Sequence, residues 1–469
     1  MKNFTVQKIF IYVSCIFGIL FLILIPPIQA PDEGSHFKKA YVMSEGKFFP
    51  EIKDGQEGFY ISETLLDYIK EQEDIIEDTD TKWSYTESIA AERQSTVYGK
   101  EVFASFSTAA TNPIGHIVPM AGIIVAKVVA VIAGREPSVV MMLYFARLFC
   151  LILYVVCVSA AICLTPILKK TFCMIGLMPM ALFISSSVSY DGLLIGAAFI
   201  FTALCFRLLF KEETRVNKYY IIAFGIIAFI FYAIKIVYLP LFLLILFVPK
   251  DKYKNQERLK SLAAILFIMA WLIILFKIPG LFRENAAVAS DPSTSEQLMF
   301  VLKNPLDYLH TFFSTIKQNR DYFVSSTVGV FGLIDTFLYA VVVYPYVFLL
   351  FVVGFLEISL ENVSVRWYER VSVIISVLAG IFGCFLAMYI FWTSIIEGGG
   401  IGVNHIEGVQ GRYFIPLMPV LFLCFGNKML KGKKRVCTIA AHIVDNSVLI
   451  SIMMLAVSQL TILLRFWVG

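Results

Sequence analysis

The sequence predicts an all-α polytopic membrane protein with about eleven transmembrane helices. Apolar residues make up 58% of the 469-residue chain, and the mean hydropathy is +0.78. Soluble domains are less apolar, typically about half. The apolar residues are gathered into runs close to the roughly 20 residues that cross a bilayer. The bilayer is therefore the expected solvent of most of the chain.

The apolar runs define the candidate spans. They lie at residues 9–28, 138–167, 171–189, 192–210, 219–234, 236–249, 261–278, 336–356, 371–393, 412–427 and 445–467. Their orientation follows from the excess of Lys and Arg that short cytoplasmic loops carry. With a cytoplasmic N-terminus, the strongly basic short loops are all cytoplasmic: residues 169–170, 211–218, 250–260, 366–370 and 428–435.

This arrangement depends on two features of the chain. The apolar stretch 113–133 must not cross the bilayer, because an extra span would move the basic residues 169–170 outside. Residues 219–249 must form two short spans with a break at Lys235, because one long helix would place the 250–260 loop outside.

The chain then forms a single membrane domain, residues 1–469, with large extracytoplasmic loops at 29–137 and 279–335. The first loop is expected to hold short helices and no independent domain. Segments 31–45 and 304–317 each carry a narrow apolar face, which predicts amphipathic helices lying on the membrane surface. Ordinary packing of these segments against the helix bundle is the alternative.

Composition argues against several other functions. The net charge of +4 is small and the basic residues fall in short clusters between apolar runs, so nucleic acid is not an expected partner. The nine cysteines are scattered and show no C-x-x-C or Cys/His metal spacing, which indicates packing residues. No cofactor follows from these patterns, and a divalent metal is left open.

Acidic residues near the predicted outer surface are the first candidates for chemistry. Asp32 and Glu33 follow directly on the first span, and Asp32 lies four residues before His36, on the same helical face. A carboxylate beside an imidazole can accept a proton from an attacking hydroxyl. The alternative is an acid that interacts with a helix dipole. Asp191, between two spans, could bind a metal or a sugar hydroxyl, or could cap the next helix.

Three basic residues in or beside apolar runs are candidates for binding a lipid-linked phosphate. Lys235 interrupts an apolar run, Arg147 lies within one, and Arg412 begins one after the segment 407–411. Guanidinium and ammonium groups both bind phosphates. The alternatives are snorkelling for Lys235, an interhelical hydrogen bond for Arg147 and a plain helix-start turn for Arg412.

Two motifs resemble those of a bacterial membrane-protein family whose function is formally unknown. They are Pro31-Asp32-Glu33-x-x-His36 and Gly408-Val409-Gln410-Gly411-Arg412-Tyr413. That family is similar to the GT-C glycosyltransferases, which take a sugar from a polyprenyl-phosphate carrier and place an acidic residue in the first outer loop. The resemblance implies Asp32 as this acid, Glu33 as its near-equivalent and Asp191 as the second acidic position.

The motifs and the spacing arguments together define an expected site. It comprises Asp32 and Glu33 as catalytic residues, Asp191 and His36 as acceptor or metal ligands, and Lys235, Arg412, Gln410, Tyr413 and Arg147 as ligands of the lipid phosphate.

The leading functional hypothesis is an inverting glycosyltransferase of the bacterial cytoplasmic membrane. Its N-terminus would be cytoplasmic and its active site extracytoplasmic. Its expected partners are a polyprenyl-phosphate-linked sugar, a cell-wall or surface glycan acceptor, and membrane lipid. The alternative is a transporter or flippase of lipid-linked saccharide, which would use the same cations without needing a base. A non-catalytic partner in surface-polymer assembly is the third hypothesis.

Overall fold

The fold is mostly helical. In the computed structural model, the described residues are 5–74, 81–86, 99–253, 257–281 and 292–468. Their α-helices are α1 Val6–Leu24, α2 Glu33–Ser44, α3 Glu63–Asp74, α4 Ile117–Ile132, α5 Val139–Leu164, α6 Lys169–Gly176, α7 Pro179–Ser185, α8 Asp191–Phe210, α9 Lys218–Ile234, α10 Arg258–Leu281, α11 Pro292–Lys303, α12 Pro305–Val328, α13 Ala340–Leu360, α14 Trp367–Phe391, α15 Met418–Leu421 and α16 Lys434–Phe466.

Short 3-10 helices and five strands complete the described elements. The 3-10 helices are Pro113–His116, Ile236–Phe247, Lys250–Lys252, Gly411–Leu417 and Phe422–Phe425. The strands are β1 Glu51–Lys53, β2 Gln56–Ser62, β3 Glu101–Ser105, β4 Val330–Phe331 and β5 Thr336–Phe337. Strands β1, β2 and β3 form one antiparallel sheet in that order, and β4 pairs with β5.

Within the described residues, eight helices are long and apolar enough to cross a membrane. This confirms the predicted class, a helical protein with several membrane spans. Shorter apolar helices occur at Lys218–Ile234, Ile236–Phe247 and Gly411–Phe425. The predicted span 171–189 is not one helix, because α6 ends at Gly176 and α7 begins at Pro179. A proline is well suited to the first turn of a helix but not to its interior.

One of the eight helices, Pro113–Ile132, was not counted as a span in the sequence analysis. The structure packs it against the N-terminal half of α5, where Gly122 lies so close to the Phe145 carbonyl that an added Cβ would be 2.5 Å away. In the same half of α5, Arg147 donates to the Ile25 carbonyl at the end of α1. Helix α4 therefore packs on the part of α5 that also contacts the end of α1.

The chain reverses at Lys235, as predicted. The Val216 amide donates to the Lys252 carbonyl at 2.8 Å, and Lys252 Nζ donates to the Lys211 carbonyl at 2.9 Å. The two ends of this stretch therefore meet, and α9 and the following 3-10 helix run in opposite directions. Their lengths are about 25 Å each, from rises of 1.5 and 2.0 Å per residue.

The basic loops and the start of α2 lie at opposite ends of the long helices. At one end, the Leu168 amide donates to Glu361 and the Asn427 side chain donates to Ser359 at 2.7 Å. At the other end, the Trp467 indole donates to the Leu24 carbonyl at 2.7 Å. Because Leu24 ends α1, the Asp32 motif belongs to this second end.

The first large loop contains a sheet that the sequence analysis did not predict. Strand β2 turns Phe59 and Ile61 into an apolar cluster with α2, α4 and α5. The turn between β1 and β2 is Asp54-Gly55, and both residues have positive φ, as a two-residue hairpin turn requires. This dipeptide was the available signal, and the strands beside it are too short for a clear alternating pattern.

The two predicted surface helices differ in the structure. Helix α2 is buried rather than laid on a surface, since Phe37 and Lys39 are both 0% exposed and Lys39 donates to the Ala109 carbonyl. The alternative considered for this segment, ordinary packing against the helix bundle, describes it better, because α2 shares an apolar cluster with α4 and α5. On α12, Leu306 and Phe313 are exposed, as expected of a helix face that contacts lipid.

Candidate functional site

A cavity of about 890 Å³ lies at the end of the helices away from the basic loops. The Asp32 side chain on its wall is 54% exposed, which shows that the cavity is open to solvent. Segments from distant parts of the chain meet there. The predicted site residues on its wall are Asp32, His36, Asp191, Lys235, Gln410, Arg412 and Tyr413.

Four of these residues form a continuous chain of ion pairs. Lys235 Nζ lies 3.1 Å from Asp191 Oδ1, and Arg412 Nε lies 3.2 Å from Asp191 Oδ2. Arg412 Nη2 donates to Asp32 Oδ2 at 3.0 Å. Two acids and two bases thus alternate, so the cluster is close to neutral. This balance allows four charged groups to remain partly buried at the end of the bundle.

Glycine at position 411 determines where the guanidinium lies. The Gly411 amide donates to Ser326 Oγ on α12 at 2.8 Å. A Cβ on Gly411 would lie 2.3 Å from the Phe323 carbonyl oxygen, so no larger residue allows this approach of the two backbones. Arg412 follows directly and is thereby directed into the cavity.

Asp32 adopts a left-handed backbone conformation, with φ of 62°. Aspartate tolerates this region better than most residues, but the conformation still costs free energy. It directs the Asp32 side chain to the cavity while Glu33, the first residue of α2, points into the protein. The strained backbone at Asp32 therefore gives the two adjacent acids different surroundings: Asp32 faces the cavity and Glu33 pairs with Arg147.

Glu33 and Arg147 do not line the cavity. Their side chains are both 0% exposed, and they form a two-pronged ion pair with contacts of 2.8 and 2.6 Å. Arg147 also donates to the carbonyls of Leu22, Ile25 and Pro26, and Glu33 accepts from the Val188 amide. The structure therefore places these two predicted site residues in a buried link between α1, α2 and α5.

Arg412 retains an unused donor. The residue is 4% exposed, and its Nη1 atom is buried with no hydrogen-bond partner within the part of the chain that the structure describes. The Tyr413 ring lies beneath both cations, 3.8 Å from Lys235 Nζ and 5.4 Å from the Arg412 guanidinium carbon. An aromatic face stabilises cations without neutralising them. Tyr413 therefore contributes to holding both positive groups at the cavity.

His36 belongs to a buried pair of imidazoles. Its Nδ1 lies 2.9 Å from Nε2 of His116, and the Tyr190 ring stands edge-on to it, 4.5 Å between centroids. Burial lowers the pKa of His36 to about 4, although the nearby carboxylates of Asp32 and Asp191 oppose this change. His36 is therefore neutral near pH 7.

Sequence reasoning missed several residues of the cavity wall. They are Tyr190, Tyr322 and Glu407, together with His116 behind His36. Glu407 could have been considered, because it is the acid that begins the segment 407–411. His116 had no local signal, since its partner lies 80 positions away.

Metal binding receives no support from geometry. Within the described ranges, no group of three or more His, Cys, Asp or Glu side chains could hold a metal ion. The two cavity aspartates instead share Arg412.

Comparison with known proteins identifies a family but no characterised relative. No match to this chain was found among curated proteins or among solved structures. One family model matches residues 15–421, which is most of the chain and contains both motifs. The chain belongs to this family, which is described as Predicted membrane protein (DUF2142).

Proposed function

We propose that this protein is a membrane glycosyltransferase that moves a sugar from a polyprenyl-phosphate donor to a glycan acceptor. One observation carries the proposal: an accessible carboxylate, Asp32, lies within ion-pair distance of a buried guanidinium with an unused donor, in a solvent-open cavity. Glycosyl transfer needs these two functions, a base for the attacking hydroxyl and positive charge for the departing phosphate.

Asp32 would act as the general base. An acceptor hydroxyl attacks the anomeric carbon of the donor sugar and gives its proton to the Asp32 carboxylate. A new C–O bond forms to the acceptor, and the bond between the anomeric carbon and the phosphate oxygen breaks. The phosphate oxygen keeps the electron pair and leaves as polyprenyl phosphate. A single displacement of this kind inverts the anomeric centre.

Arg412 and Lys235 would bind the donor phosphate. Nη1 of Arg412 is a buried donor without a protein acceptor among the described residues, which is costly unless a ligand accepts from it. Lys235 is partly accessible, with its side chain 20% exposed. Because both cations already pair with acids, the phosphate would compete with Asp191 and Asp32 for them.

The distribution of charge supports an extracytoplasmic site. The basic loops lie at the far end of the helices from the cavity, and basic loops are typically cytoplasmic. A crossing by α4 would place the basic residues 169–170 outside, so the proposed topology leaves α4 out of the crossings. We therefore propose eleven crossings, a GT-C-like architecture, a cytoplasmic N-terminus and, by analogy, a bacterial cytoplasmic membrane.

The test is transfer by the purified, lipid-reconstituted protein. The donors are undecaprenyl phosphates carrying different radiolabelled monosaccharides, each compared with the matching nucleotide sugar. We expect label to move to an added cell-wall or surface glycan only from the lipid-phosphate donor. Transfer from the nucleotide sugar instead would overturn the proposed donor class. Movement of the intact lipid-linked sugar across the bilayer, without transfer, would favour the transporter hypothesis.

A further inference from the structure

The outer end of α14 presents an exposed tryptophan to the cavity. Trp392 follows the last residue of this helix, lines the cavity and is 41% exposed. The chain has five tryptophans, all within the described ranges, and Trp392 is the one on the cavity wall. A large aromatic ring left open to water in a concave site favours contact with the apolar face of a ligand.

An acid lies beside this ring. Glu407 lines the same cavity, and its side chain is 55% exposed. The Glu407 amide donates to Thr393 Oγ1 at 3.0 Å, which ties this residue to the end of α14. The next residue, Gly408, packs on the indole, since a Cβ there would lie 2.6 Å from Trp392 Cδ1. Glu407 and Trp392 therefore border the same part of the cavity wall.

Glu407 differs from the other two acids of the cavity. Asp32 and Asp191 both pair with Arg412. Among the described residues, the Glu407 carboxylate has no Lys or Arg partner, and its contact with His405 Nε2, at 3.8 Å, is beyond hydrogen-bond distance. Such a carboxylate can accept hydrogen bonds from a ligand's hydroxyls and repels anionic groups. It suits an uncharged ligand that carries hydroxyls.

We propose that Trp392 and Glu407 form a subsite for one sugar unit of an uncharged oligosaccharide. A pyranose ring has an apolar face of C–H groups, which packs on an aromatic ring, and a rim of hydroxyls, which donate to a carboxylate. The role of this subsite in binding the glycan acceptor rests on the proposed function. Binding of an oligosaccharide to it can be measured without any transfer.

The position of Trp392 along α14 indicates which sugar unit it contacts. Helix α14 begins at the basic loop 366–370 and ends at the cavity. Gly383 packs against Val237, since a Cβ there would lie 3.2 Å from the valine side chain. Trp392 is nine residues beyond Gly383, or about 13 Å, whereas Lys235 is two residues from Val237, or about 4 Å in the same direction. Trp392 therefore lies roughly 9 Å farther out than Lys235.

This separation favours a unit of the acceptor over the transferred sugar. A hexose ring is narrower than this separation, so a sugar bonded to a phosphate held by Lys235 and Arg412 does not extend as far as Trp392. The acceptor's terminal unit meets the anomeric carbon of that sugar, and a unit farther along the acceptor lies nearer the indole ring. The acceptor is therefore an oligosaccharide or a longer glycan rather than a monosaccharide.

Binding of soluble glycans to the full-length protein in lipid nanodiscs tests the subsite. The probes are uncharged linear tetrasaccharides of glucose, mannose, galactose and N-acetylglucosamine, the corresponding monosaccharides, and tetragalacturonic acid as the charged comparison. Calorimetry gives the affinity, and tryptophan fluorescence shows whether the ring is contacted. We expect at least one uncharged tetrasaccharide to bind more tightly than its monosaccharide and to change the fluorescence. Binding by none of the four would overturn the assignment.

Variants of the ring locate the binding. Trp392→Leu should weaken binding of that tetrasaccharide by about tenfold to a hundredfold, as loss of a tryptophan contact in a binding site commonly does. Trp392→Phe keeps a ring and should retain part of the affinity. Trp367→Leu is the matched control, because Trp367 is exposed at the opposite end of α14. Unchanged affinity in Trp392→Leu would make Trp392 an anchor at the membrane surface, where tryptophan is common, and would contradict the subsite.

A change of charge tests the acid. Glu407→Gln keeps an acceptor oxygen but loses the charge, so affinity for the uncharged tetrasaccharide should fall about threefold to tenfold. Tetragalacturonic acid, which the carboxylate repels, should bind better relative to the uncharged probe. Glu397→Gln is the control, since Glu397 is exposed in the same outer loop and off the cavity wall. A purely structural role would not alter this selectivity, so unchanged selectivity in Glu407→Gln would refute the role of the acid.

Transfer kinetics separate the subsite from the proposed function. Trp392→Leu should raise KM for a tetrasaccharide acceptor more than for the matching monosaccharide, because only the longer acceptor reaches the ring. Equal changes in the two KM values would contradict the subsite while leaving the proposed function in place. Tetrasaccharide binding that depends on Trp392, in a protein that transfers no sugar, would refute the proposed function and support the subsite.

Discussion

Arg412 Nη2 lies 3.0 Å from Asp32 Oδ2 and so joins the two recognised motifs, 380 positions apart in the chain. The contact brings the first outer loop and the late glycine-containing segment to one cavity. It also makes the proposed base and the proposed phosphate ligand neighbours. A change in either residue should therefore alter the environment of the other.

The first prediction concerns the proposed base. Asp32→Asn keeps the side-chain shape, and asparagine also tolerates the left-handed backbone. It removes the proton acceptor, so transfer should fall on the order of 10²- to 10⁴-fold, while binding of the donor persists. Asp54→Asn is the matched control, because Asp54 is exposed and also has positive φ. Wild-type transfer by Asp32→Asn would remove the proposed role.

The second prediction concerns the phosphate ligand. Arg412→Lys keeps the charge but loses the fork of donors, so binding of undecaprenyl phosphate to purified protein should weaken by roughly tenfold to a hundredfold. Arg465→Lys is the control, since Arg465 forms a comparable ion pair with Asp335 at 2.9 Å without lining the cavity. Equal affinities in the two variants would argue against phosphate binding by Arg412.

The third prediction concerns stability. Glu33→Gln leaves the Arg147 guanidinium buried without its carboxylate partner, which typically costs about 3–5 kcal/mol. Thermal unfolding followed by circular dichroism should show a clear fall in the midpoint. Glu101→Gln removes a carboxylate from an exposed pair with Lys47 and should change it little. Equal midpoints for the two variants would show that the buried pair is not a structural link.

The fourth prediction concerns pH. Because the pKa of His36 is lowered to about 4 in the folded protein, the unfolded chain binds more protons between pH 6.5 and 4. The unfolding free energy should therefore decrease as the pH falls through this window, by on the order of 3 kcal/mol from this group. His36→Gln should reduce the decrease in the unfolding midpoint, and His442→Gln should not. An unchanged pH dependence in His36→Gln would show that protonation of His36 does not cause the loss of stability.

The fifth prediction concerns topology. In a cysteine-free background, a cysteine at Thr86 should react with an impermeant thiol reagent in intact cells, because this position lies near the cavity end. A cysteine at Glu212, beside the basic loops, should react only after permeabilisation. Labelling in the opposite order would place the cavity on the cytoplasmic side.

Hydropathy and charge along the chain were sufficient to predict the membrane class and the reversal at Lys235. Both are local properties, since each apolar run must be buried wherever it lies and each basic loop resists insertion. Charge beside apolar runs singled out Asp32, Asp191, Lys235 and Arg412 as candidates, and the four-residue spacing from Asp32 added His36. The structure places all five on the wall of one cavity. It did not identify the sheet, whose short strands pair with distant residues.

Only the tertiary structure separated Asp32 from Glu33. The two acids are adjacent and carry the same charge, so no pattern in the sequence distinguishes them. The left-handed backbone at Asp32 turns one to the cavity and the other to Arg147. His116 was likewise unpredictable, because a hydrogen bond across 80 positions depends on how helices pack. The sequence by itself indicated which charged groups border apolar runs, because hydropathy and charge are local properties, whereas packing decided which of these groups share a partner and which face the solvent.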